Sequence, residues 1–205
     1  MEIIVNLMYN EVKMNKIVLA SQSPRRKEIL ENVNVEFELV PSTIDEIILP
    51  EDEPKAAVMA LSFEKAWDVA SKVSEDKIII GADTIVFQDT ILGKPKDDAD
   101  AFEMLKHLNG SSHQVYTGIC IVCKSLNLKI VDVVKTTVTF KNSDDETLKK
   151  YVATGECFGK AGAYGIQGFG GLLVDKIEGD YLNVVGLPLS KLNDLLNKHF
   201  DFSML

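Results

Sequence analysis

The chain has 205 residues, 46% hydrophobic and 26% charged, enough for one well-filled domain or at most two small ones. A formal charge of −9, with no long basic block, argues against a nucleic-acid binder that relies on a cationic face. No apolar run reaches the roughly 18 residues of a membrane span, and MEIIVNLMYNEVKM lacks the basic and cleavage regions of a secretory signal.

Residues 1–13 read as an N-terminal extension without an assigned role, ahead of a single domain over 14–205. Residues 16–20, KIVLA, form a buried strand. Ser23 then reads as an N-cap and Pro24 as the first residue of a helix running to Asn32. Arg25, Arg26 and Lys27 crowd its first turn, where the macrodipole is already positive and each cation costs about 0.3–1 kcal/mol. An anion would reverse that cost. Free N–H groups, two guanidinium groups and the hydroxyls of Ser21 and Ser23 together make a phosphate cradle. The plainer alternative is that these cations reach solvent or pair with Glu28 and Glu31.

A short strand, Phe37–Val40, leads into the polar loop Ser42–Glu46, whose Asp45 and Glu46 supply carboxylates. Val58, Leu61, Ala66 and Val69 predict a helix from Pro54 to about Val73, carrying Lys65. The run KIIIGADTIVF, residues 77–87, is the strongest buried-strand signal. Asp83 lies inside it, where a lone carboxylate is costly unless it meets a cation or a turn. Thr84 stands beside it. Lys94 follows between Gly93 and Pro95, and a helix over 98–108 ends at Asn109-Gly110.

Strands over 114–123 and 128–140 come next, joined through Ser125-Leu126-Asn127. Cys120 and Cys123 match C-x-x-C, but residues three apart on a strand point to opposite faces and cannot readily share a metal. With Cys157 they form an odd set, which suits buried free thiols in a reducing cytoplasm. A helix from about Asp144 to Ala153 precedes the glycine-rich stretch 159–171, GKAGAYGIQGFGG, which fits neither G-x-G-x-x-G nor the P-loop pattern. Its glycines permit close approach to a planar ligand, and the Gln167 amide complements a pyrimidine edge. A packed turn with an exposed glutamine is the plainer reading. Two apolar segments, 172–177 and 181–185, flank Glu178-Gly179-Asp180, and a last helix opens at Leu187-Pro188-Leu189 and ends near His199. Mixed helices and strands without strict alternation predict an α/β fold around a central mixed sheet.

LASQSPRR from Leu19, GADT from Gly81, GKP from Gly93, KAGAYGIQG from Lys160 and VGLP from Val185 occur in the order of the Maf family, which the chain resembles over residues 16 to about 200. The resemblance implies a two-lobed domain with a long mixed sheet, flanking helices and a cleft, similar to inosine-triphosphate pyrophosphatases. S-P-R-R, A-D-T and Y-G-I-Q-G resemble the branch acting on dTTP and UTP. The 7-methyl-GTP branch instead resembles S-P-W-R-R, S-D-Q and a glutamate in place of Gln167. The implied activity is hydrolysis of the triphosphate to monophosphate and pyrophosphate, as house-cleaning of nucleotide pools and with a link to cell-division arrest. Carried over by motif, Asp83 is the proton acceptor, and Arg25, Thr84 and Gln167 set specificity. Lys65 and Lys94 are catalytic cleft positions, and Ser21, Ser23, Arg25 and Arg26 face the triphosphate.

The resemblance also implies Mg²⁺ or Mn²⁺ bridging phosphate oxygens to Asp83 and Glu46. Neither nucleic acid nor a membrane is an expected partner, and a homodimer is allowed without being fixed. A non-catalytic nucleotide sensor in septum formation and a pyrophosphatase of broader purine specificity are the alternatives. One departure stands out: Phe158-Gly159 precede Lys160 where the family commonly has Asp.

Overall fold

The computed structural model describes residues 17–49 and 52–205. The expected extension over 1–13 and the first strand's start at Lys16 lie outside the described residues. Strand β1 (Ile17–Ala20), helix α1 (Pro24–Glu31) and strand β2 (Glu38–Leu39) open the fold. They are followed by α2 (Pro54–Ala70), β3 (Ile78–Gln88), β4 (Thr90–Leu92) and α3 (Asp98–Leu108). Next come β5 (Ser112–Cys123), β6 (Leu128–Phe140) and α4 (Asp145–Val152). Strand β7 (Val174–Glu178), helix α5 (Tyr181–Val185) and helix α6 (Leu189–Phe200) complete it.

The elements follow the sequence pattern with local corrections. Helix α2 stops at Ala70 rather than Val73, and β2 keeps two of the expected four residues. The hairpin strand β4 follows Asp89, which adopts φ +58. The glycine-rich stretch contains two 3₁₀ turns, Ala161–Ala163 and Gly168–Leu173. Of the segments around Gly179, the first leaves the second 3₁₀ turn at Leu173 and becomes a strand from Val174, and the second is a single-turn helix capped by the Asp180 carboxylate.

The sheet is mixed, in the order β2-β1-β3-β5-β6-β7 with β4 also on β3. Strand β1 runs parallel to β2 and β3, and the remaining pairs are antiparallel. One face carries α2 over Val18, Ile79, Cys120 and Val122. Ile17, Leu19, Ile80 and Cys123 point the other way, into a cluster with Leu30, Leu187 and Leu192. Cys120 and Cys123 thus lie on opposite faces, as alternation requires, and all three thiols are free and buried. A separate cluster at the far end of the long strands joins Val86, Val115 and Val138 to α3, α4 and Tyr164. No helix among the described residues is long and apolar enough to cross a membrane.

Candidate active site

The edge of β3 is interrupted. Strand β1 pairs with it as far as Ala20 opposite Gly81, and β4 begins only at Val86 opposite Leu92. Between them, Ala82 to Ile85 have a partner strand on the β5 side alone. The cleft opens at this gap, with a volume of about 1120 Å³. Side-chain alternation sends Asp83 to the α2 face and Thr84 to the other, so both halves of the cleft are built from consecutive residues of one strand.

On the α2 side, close helix–sheet contact comes from glycine. A Cβ at Gly81 would sit 2.3 Å from the Ser62 carbonyl oxygen, and one at Gly118 would sit 2.2 Å from that of Val58. The helix backbone therefore approaches the sheet, and Lys65, one turn beyond Ser62, meets Asp83. Lys65 Nζ lies 2.5 Å from Asp83 Oδ1 and 2.7 Å from Glu46 Oε1. Lys94 Nζ, from across the cleft, lies 3.3 Å from Glu46 Oε2. Lys65 and Asp83 are buried, whereas Glu46 and Lys94 face solvent. Burial would raise the Glu46 carboxyl, but its bonds and charge attraction to Lys65 and Lys94 outweigh this and hold it below the usual value.

On the opposite side, Ser23 caps α1 by accepting from the Arg26 N–H at 3.5 Å, and Pro24 starts the helix. Consecutive helical residues point about 100° apart, which separates the two arginines. Arg26 turns inward. Its Nε donates to the Gly186 carbonyl at 2.7 Å, Nη1 to Ser21 Oγ at 3.3 Å and Nη2 to Thr84 Oγ1 at 3.0 Å. These bonds leave the other two of a guanidinium's five donors. Thr84 Oγ1 lies 2.9 Å from Thr117 Oγ1, which donates to the Asn183 carbonyl at 2.9 Å.

The Arg25 side chain is half-buried, lines the cleft and makes no hydrogen bond or ion pair among the described residues. Burial lowers its pKa, and its charge joins burial in lowering that of Lys160 across the cleft. The equal treatment of the two arginines in sequence thus resolves into one that braces and one that faces the cavity.

Every residue expected from sequence lines this one cleft: Ser21, Ser23, Arg25 and Arg26 from the β1–α1 turn, Glu46, Lys65, Asp83, Thr84 and Lys94, and half-buried Gln167 from the glycine-rich stretch. Sequence reasoning missed Thr117 and Asn183, which complete the Thr84 chain, and Glu156, which accepts bonds from that stretch. Thr117 sits in an apolar strand and Glu156 in a turn, so neither carries a local signal. Gly159, at the position of the departure before Lys160, adopts φ +70 and also lines the cleft.

No group of three or more His, Cys, Asp or Glu among the described residues can hold a metal ion. Asp83 Oδ2 is, however, buried without a partner among them, while Oδ1 meets Lys65. One such carboxylate oxygen, with Glu46 nearby, fits Mg²⁺-like chemistry, which takes one or two carboxylates together with substrate phosphates and water. The donors suit a cation arriving with a phosphate ligand better than a permanent protein cage.

A family model described as Maf-like protein matches residues 16–199. A curated relative from Clostridioides difficile (strain 630), "dTTP/UTP pyrophosphatase", is 53% identical over 92% of this chain and 97% of its own. Another of that name from Alkaliphilus metalliredigens (strain QYMF) is 48% identical over 94% of this chain and 100% of its own. Among solved structures, a nucleoside-triphosphatase / dITP/XTP pyrophosphatase from Mycobacterium abscessus shares 15% identity at a TM-score of 0.42, covering 62% of this chain and 74% of that one.

Proposed function

The chain belongs to the Maf-like protein family, and from that premise we propose that it hydrolyses nucleoside triphosphates, dTTP and UTP foremost, to the monophosphate and pyrophosphate. The observation that carries this reading is the convergence of a buried Lys65–Asp83 pair and an arginine turn on one gap in the edge of β3.

Each residue has work in that reaction. The bond between the α and β phosphates breaks, water supplies the new oxygen, and negative charge grows on the departing pyrophosphate. Lys65 occupies Asp83 Oδ1, leaving the two lone pairs of Oδ2, one to accept a hydrogen bond from the attacking water and take its proton, the other to face a cation. Arg25, Lys94 and the α1 N-terminus offset charge on the phosphates, with Ser21, Ser23 and the remaining Arg26 donors completing the cradle. A divalent cation, held by Asp83 and Glu46 together with phosphate oxygens, would polarise the phosphoryl group and neutralise charge. Gln167 offers an amide donor and acceptor to the base, as the imide edge of thymine or uracil requires. Thr84, fixed by Arg26 and Thr117, shapes the same side.

Initial rates of pyrophosphate release from dTTP, UTP, ITP and 7-methyl-GTP, with Mg²⁺ or Mn²⁺ and with chelator, test this reading. The expected result is fast turnover of dTTP and UTP that chelator abolishes. Turnover of ITP at a higher rate would move the assignment to purines. Nucleotide binding without pyrophosphate release would make the protein a sensor.

A further inference from the structure

We propose that Glu156, outside the motifs that mark the cleft, is a positioning residue for base recognition, acting through the backbone on either side of Gln167. The inference rests on the pyrophosphatase reading and refines its specificity. Glu156 follows α4 and uses both carboxylate oxygens: Oε2 accepts from Phe169 N–H and Oε1 from Gly170 N–H, each at 2.9 Å. The Tyr151 hydroxyl, at the end of α4, donates to Oε1 at 3.3 Å and accepts from Gly165 N–H at 3.2 Å. One carboxylate and one phenol therefore hold the chain both before and after Gln167.

The surrounding packing leaves little slack. Gly168 adopts φ +66, and a Cβ there would lie 2.5 Å from Glu156 Oε2. One at Gly170 would lie 2.1 Å from the Gly165 carbonyl oxygen. The 165–170 segment is thus closed on itself and tied to Glu156, so the direction of the Gln167 side chain into the cleft follows from these bonds. A glutamine at 156 would offer one acceptor and set an N–H₂ group against an N–H donor.

The test compares Glu156→Gln and Tyr151→Phe with wild type in four readings: KM and kcat for dTTP, the dTTP-to-ITP ratio of kcat/KM, inhibition by pyrophosphate, and Tm. Glu156→Gln is expected to raise KM for dTTP about tenfold and shrink the base preference similarly, the scale of one charge-assisted hydrogen bond. The expected kcat and pyrophosphate inhibition stay near wild type, because the phosphate half of the cleft is untouched. Tyr151→Phe is expected to move the same readings less, and it carries the test should Glu156→Gln fail to fold. Unchanged base preference in a folded variant overturns the proposal, as does pyrophosphate inhibition weakening in step with KM. Absence of wild-type turnover overturns the pyrophosphatase reading, and this proposal with it.

Discussion

Asp83 and Thr84 are neighbours in sequence but face different neighbourhoods. Asp83 enters a charged one, where a buried lysine links it to Glu46 and a second lysine reaches in from the far wall. Thr84 enters a chain of hydrogen bonds running from the Arg26 guanidinium through two hydroxyls to the Asn183 carbonyl. The first half holds the carboxylates and lysines, the groups proposed to take a proton and to hold a cation. The second fixes geometry: every link of the chain has a partner, and among the described residues only Arg25 beside it turns a free cation to the cavity. One strand supplies both because alternation divides its side chains between faces just where its edge is left open.

This division predicts different losses from the two halves. Asp83→Asn should cut turnover about 10²–10⁴-fold, the usual consequence of removing a general base, and should cost less stability than loss of Lys65, because Lys65 keeps Glu46 as a partner. Turnover near wild type in a folded variant would remove Asp83 from the reaction. Lys65→Met leaves two carboxylates without their shared cation, one of them buried. It should destabilise by about 3–5 kcal/mol in denaturant unfolding as well as lowering activity, and wild-type stability would break the assignment of Lys65 as the centre of the charged half.

A control lies outside both halves. His113 is buried, with Nε2 2.8 Å from the Tyr164 hydroxyl, and burial pushes its pKa down from 6.5 to about 4. The unfolded chain therefore binds the extra proton first. The stability gained by keeping His113 neutral is complete above pH 6.5 and falls by about 3 kcal/mol as pH drops through 6.5 towards 4. His113→Phe should show a shallower acid loss of Tm over that window. A wild-type slope would mean that carboxylates elsewhere govern the acid limb.

The smallest effect belongs to the second half. Thr117→Val removes the hydroxyl between Thr84 and Asn183 and should cost about 1–2 kcal/mol of stability, because a buried acceptor loses its donor. Its effect on turnover should be far below that of Asp83→Asn. A comparable loss of activity would erase the distinction between the halves.

The charged half was the more legible in sequence. A carboxylate inside IIIGADTIVF is expensive enough to demand a cation; across the cleft, arginines at a proline-started helix conflict with its dipole enough to suggest an anion, though not enough to say which of them faces it. Alternation also placed Cys120 and Cys123 correctly on opposite faces. The bracing half was hidden because its partners are distant in sequence. Arg26 bonds to a carbonyl 160 residues away, and Thr117 bonds to one 66 away. Local pattern could not say which arginine turns inward, since packing against Gly186 and Thr84 decides it. Glu156 was concealed similarly, as its donors lie 13 and 14 residues downstream in a stretch whose turns depend on glycine.

The most direct test of the shared gap as a hydrolytic site is to follow the wild-type protein with dTTP and Mg²⁺ by ³¹P NMR and identify both products. The proposed cleavage between the α and β phosphates predicts dTMP and pyrophosphate in equal amounts. Formation of dTDP and orthophosphate, or dTTP left intact, would contradict it.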